Sequence, residues 1–192
     1  MTAALLAQIW KKPTDRDLLR VYADWLASNG EPARGEFINL SLLAELSPAQ
    51  HRRRDALLAK HRGAWLGAAR PFVYAWQESV ESPGFIASAH CSFAKLTQGF
   101  AHIRALGPRL IVRVGEPKAK RETIALAKLP LGTLYGLALY DYQGWMSDDW
   151  LMTVAPALAG LRAFALYPFH RPSDRSWATM LPYLRSLEHL EL

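Results

Sequence analysis

The residues able to do chemistry are scattered along this chain of 192 residues. The histidines are His51, His61, His90, His102, His170 and His189. None forms the H-x-x-x-H or H-E-x-x-H pairs that set two imidazoles on one helix face around a metal ion. The lone cysteine, Cys91, directly follows His90. Neighbours on a strand point to opposite faces, so these two make no nucleophile–base pair, and a buried thiol is expected. One cysteine allows no intrachain disulfide and no cysteine-built metal site, in keeping with a reducing cytoplasm. Asp24, Arg34 and Glu36 could form a polar site, but no nucleophile or metal ligand stands beside them. Ion pairs or helix-end hydrogen bonds that fix helices together are the better reading. No G-x-S-x-G elbow, P-loop or G-x-G-x-x-G turn is present. The expectation is a non-catalytic protein that needs neither metal nor cofactor.

Recognition is the remaining chemistry, and two surfaces compete for it. The net charge is +6, which suits nucleic acid or an acidic protein surface. The basic residues Arg52, Arg53, Arg54 and Lys60 form one group, and Lys118, Lys120 and Arg121 another. On helices such clusters are usually solvated faces. A nucleic-acid-binding role is the alternative reading. It requires the clusters to share one face and binding to fall steeply with salt.

The second surface follows from a repeated phrase. Leu131, Leu134, Leu137 and Leu139 are echoed by Leu158, Leu161, Phe164 and Leu166, then by Leu184, Leu187, Leu190 and Leu192. The anchors Leu134, Leu161 and Leu187 lie 27 and 26 residues apart, and Pro130, Pro156 and Pro182 repeat every 26. An L-x-x-L-x-L pattern at this period is the mark of a leucine-rich repeat. The L-x-L core alternates as a strand, and the segment between phrases is long enough for a returning helix. Ser147 and Ser173, each followed by Asp, are N-caps for two of these helices. One unit cannot bury its own apolar face, whereas stacked units share a core. The expected fold class is therefore α/β, a short solenoid with a parallel sheet, and a weaker unit starts at Leu110 to Val114. A further strand is expected at Phe85 to His90, giving four or five in parallel.

In that arrangement the residues between the leucines face the concave side. They read Arg109, Ile111 and Arg113; Gly136, Ala138 and Tyr140; Ala163, Ala165 and Tyr167; His189 and Glu191. Small residues floor the middle, with arginine and tyrosine along one edge. Arg109, Arg113, Tyr140, Tyr167, His189 and Glu191 are the candidate protein-binding residues, because Tyr and Arg are favoured interface anchors. The loops Tyr142 to Trp145 and Pro168 to His170 are aromatic as well. The final strand, Leu187 to Leu192, is expected to present an open edge that a partner or a second copy covers, the alternative being that the chain has been shortened there.

Upstream, four short amphipathic helices are expected. Thr2 to Trp10 ends at Pro13. A capping box at Thr14 and Asp17 opens the second helix, which runs to about Ser28 and stops at Asn29-Gly30. Arg34 begins a third, carrying Leu40, Leu42, Leu43 and Leu46. Ser47-Pro48 opens a fourth, which ends near Arg62. Phe72, Tyr74 and Trp76 alternate, as a short strand or as an aromatic plug. Val21-Tyr22-Ala23-Asp24-Trp25-Leu26, Gly30, Arg34-Gly35-Glu36-Phe37-Ile38, and the His61, Trp65, Leu66 stretch resemble the bacterial repeat-companion domain. That resemblance covers roughly residues 1 to 95. It implies a helical cap ahead of leucine-rich repeats, and no defined activity. The expected division is residues 1–70 helical, 71–84 a junction, and 85–192 an array of about four units. No signal peptide or membrane span is read in the chain, which is expected to work in the cytoplasm as a scaffold or complex subunit.

Overall fold

The computed structural model describes residues 2–115, 120–144, 146–168 and 171–191, apart from the side chains of Thr2, Lys120 and Thr123. Helix α1 is Thr2–Lys11, and Pro13 stands just beyond its end. Helix α2 is Arg16–Ser28, capped by Asp15, whose carboxylate accepts from the Asp17 and Leu18 amides. The cap is thus Asp15 and not Thr14, in line with the stronger capping preference of Asp over Thr. Gly30 takes φ +92°, which ends α2 without a Cβ penalty. Helix α3, Pro32–Ser41, starts two residues before Arg34, because Pro32 fits the first turn, where its missing N–H is not needed. Leu42, Leu43 and Leu46 consequently lie beyond α3. Helix α4, Pro48–His61, opens with a reciprocal capping box between Ser47 and Gln50. Leu19, Leu26, Phe37, Ile38 and Leu57 form the core of these helices, and Phe85 joins them from the segment before the second strand.

A six-stranded sheet follows, in simple order: β1 Ala75–Glu78, β2 Ile86–Cys91, β3 Ile111–Val114, β4 Gly136–Tyr140, β5 Ala163–Tyr167 and β6 His189–Glu191. β1 runs antiparallel to β2, and every later pair is parallel. Of the alternating aromatics Phe72, Tyr74 and Trp76, only Trp76 lies in a strand, and the other two precede β1. Trp76 is buried beneath the sheet and Tyr74 is 66% exposed. The segment expected to be a junction thus contributes the first strand. Helices α5 Phe93–Arg104, α6 Lys120–Leu126, α7 Asp148–Val154 and α8 Asp174–Met180 alternate with the strands from β2 onward. Ser92, Ser147 and Ser173 cap three of them by accepting from an amide three residues on.

Alternation sends Val112, Val114, Leu137, Leu139, Phe164 and Leu166 to the inner face, each at most 1% exposed. The helices cover that face with Phe93, Leu96, Ile103, Leu126, Leu151 and Met180. Gly107 stands where the phrase calls for leucine, because a Cβ there would lie 2.6 Å from the Ile86 carbonyl oxygen. The chain is thus an α/β protein with N-terminal helices, then a mostly parallel sheet alternating with helices. No described helix is long and apolar enough to cross a membrane.

Candidate docking face

The opposite face of the sheet carries no helix layer among the described residues, and strand register arranges it in rows. The first row is Ser88, Ile111, Gly136, Ala163 and His189. The second is His90, Arg113, Ala138, Ala165 and Glu191. The third is the pair Tyr140 and Tyr167, at the ends of β4 and β5. A groove of about 310 Å³ runs over this face, lined in part by Arg113, Ala138, Ala165, Tyr167, His189 and Glu191. Its floor is low because the middle strands offer only glycine and alanine.

The edge of the groove is held by polar contacts. The rings of Tyr140 and Tyr167 stack 4.6 Å apart, 8° from parallel. Arg113 Nη1 donates to the Tyr140 hydroxyl at 3.0 Å. The Glu191 carboxylate, as hydrogen-bond acceptor, pushes the Tyr167 phenol up to about 12, with burial the second cause. Tyr140 is thus tethered by a cation on the neighbouring strand β3, and Tyr167 is held by its stacking on Tyr140. A stacked pair fixed at one hydroxyl loses little freedom on binding, which favours it as an anchor.

Two residues that sequence reasoning did not assign to this face join it. His90 sits beside Arg113 in register. Burial, and then Arg113, hold its imidazole below the usual histidine value. Tyr74 meets His90 edge-on, with ring centroids 6.2 Å apart and planes at 62°. Burial raises the Tyr74 phenol first, with Cys91 and Tyr140 adding to it. Cys91 itself points to the inner face and is fully buried. Burial pushes its thiol up to about 12, which leaves almost no thiolate nucleophile near neutral pH.

Other candidates fall elsewhere. Arg109 precedes β3 and does not join the rows. It pairs with Glu81 at 2.5 Å and lies over the Tyr135 ring at 5.8 Å. Its place in the phrase misled because β3 starts only at Ile111. Arg53 forms a two-pronged pair with Glu36, both contacts at 2.7 Å, and Arg54 pairs with Asp55 at 3.0 Å. Arg52 and Lys60 are exposed on α4, and Arg121 is exposed on α6. Lys118 lies outside the described residues, as do the side chain of Lys120 and the residues Trp145, Phe169, His170 and Leu192. Arg34 donates to the Gly84 carbonyl at 2.7 Å, whereas Glu36 is taken by Arg53, so Asp24, Arg34 and Glu36 do not form one site. Among the described residues no three His, Cys, Asp or Glu side chains gather as a metal-holding group.

Comparison with protein-family models, with curated proteins and with solved structures gives no match.

Proposed function

We propose that the chain is a non-catalytic protein-interaction module, a short leucine-rich-repeat solenoid with a repeat-companion helical cap, which holds a protein partner on its open sheet face. The observation that carries this reading is the stacked Tyr140–Tyr167 pair, tethered to Arg113 beside a floor of alanines. The small floor lets a partner approach the sheet backbone, and the rigid aromatic ledge supplies contact area where interfaces concentrate their energy. The basic helical clusters are weaker candidates. Two of their arginines, Arg53 and Arg54, are already paired with carboxylates. In addition, α4 packs on α3, whereas α6 packs on α5 and α7.

The test is affinity capture of partners from the host cell, with and without nuclease, using the parent and two variants. Y140A/Y167A is expected to reduce recovery of the captured protein at least tenfold, equivalent to about 1.4 kcal/mol. R52A/R53A/R54A is expected to leave it unchanged. Recovery that vanishes with nuclease, or that follows the arginines of α4, would refute the docking face and favour nucleic acid.

A further inference from the structure

We infer that Arg113 is the receptor for a carboxylate carried by the protein partner, an Asp or Glu side chain that enters the groove at the β3 end. The inference rests on the docking reading above and names the partner's chemistry. Arg113 is half-buried, yet it forms no ion pair among the described residues. Its Nη1 serves the neutral Tyr140 hydroxyl, and its Nε is buried with no hydrogen-bond partner. A buried guanidinium nitrogen without an acceptor is a costly arrangement, which an acceptor brought by a partner would relieve. Around it stand two phenols and an imidazole. Tyr140 contacts it directly, His90 is its register neighbour, and Tyr74 stands edge-on to His90. Among these four side chains there is no carboxylate. Such a set suits an oxyanion, and the planar fork of arginine matches a carboxylate through two parallel hydrogen bonds.

Charge selects carboxylate over phosphate. One guanidinium balances a single negative charge. Burial and Arg113 hold the His90 imidazole below its ordinary value, which disfavours a second positive charge beside Arg113. Glu191 stands on the same row three strands away, about 14 Å at ordinary strand spacing. Its charge disfavours a dianion in the shared groove. The groove is therefore oppositely charged at its two ends, positive at β3 and negative at β6, and a partner element with an acidic residue at the β3 end is complementary.

The experiment is NMR titration of the intact chain with sodium acetate, with sodium chloride as the control at matched ionic strength and inorganic phosphate as a separate arm. The Arg113 Nε–H and His90 ring signals are expected to shift with acetate and to saturate, several-fold more than with chloride. R113Q should abolish the His90 response, and R113K, which keeps the charge without the fork, should weaken it several-fold. Equal responses to acetate and chloride would overturn the inference, and so would a stronger saturating response to phosphate. If acetate has no specific effect while Y140A/Y167A still loses its captured protein, the carboxylate receptor falls and the docking face stands. If acetate saturates while capture ignores the tyrosines, the docking face falls instead.

Discussion

Phe164→Ala is expected to lower the free energy of unfolding by about 3–5 kcal/mol, the range for deleting a large aromatic side chain from a packed core. Phe164 is 1% exposed and is the second residue of β5. Leu137 on β4 and Leu190 on β6 are its register partners. It fills a leucine position of the second phrase, so its ring occupies the layer that successive units share. The surrounding strands are tied on both sides by parallel ladders and cannot collapse far into the space left behind. Urea denaturation measures the effect. Val21, 55% exposed on α2, is the control. Val21→Ala should change stability by no more than about 0.5 kcal/mol. A loss below about 1 kcal/mol for Phe164→Ala would mean that the inner face is not a close-packed layer.

Gly132→Ala is expected to be nearly as damaging, although the added atom is a single methyl. A Cβ at Gly132 would lie 1.6 Å from the Ala159 carbonyl oxygen and 2.6 Å from its carbon. Both atoms belong to backbone, so no rotamer change relieves the clash, and the turns themselves must part. Gly132 lies in the short 3-10 turn before β4, and Ala159 in the equivalent stretch before β5. The two glycines Gly132 and Gly160 thus let consecutive units touch backbone to backbone, and Gly160 does so at φ +104°. The cost should reach about 3 kcal/mol, the upper part of the overpacking range. That corresponds to a fall in Tm of roughly 6–12 °C for a chain of this size. A thermal melt followed by circular dichroism reads it directly. An unchanged Tm would show that the units do not contact each other at these turns.

Much of the fold is legible in the sequence, because the parallel strands obey a period. Leu137 and Leu139, or Phe164 and Leu166, alternate with small residues, and the caps at Ser147 and Ser173 repeat in step with them. What escapes is aperiodic. β1 lies outside the leucine repeat and pairs antiparallel with β2, so no phrase marks it. Gly107 breaks its own phrase because the Ile86 backbone stands where a side chain would go. The start of α3 is set by Pro32, a position effect that the flanking Glu31 and Ala33 do not advertise. Candidate residues divide along the same line. Arg113, Tyr140, Tyr167, His189 and Glu191 share one face because alternation puts them there. His90 and Tyr74 join them through the pairing of β1, β2 and β3, which no local pattern encodes. Arg109 is drawn away by Glu81 and Tyr135, contacts across 28 and 26 residues of sequence. Glu36 and Arg53, 17 residues apart, likewise meet only once α3 and α4 pack.

The claim that the open sheet face holds a protein partner is tested most directly by site-specific photo-crosslinking in the host cell. One variant carries the photoreactive residue in place of Ala165, on the groove floor, and another carries it in place of Arg52, exposed on α4. The account predicts a discrete protein adduct from position 165 that survives nuclease, and none from position 52. Adducts that form only from position 52, or that disappear with nuclease, would contradict it.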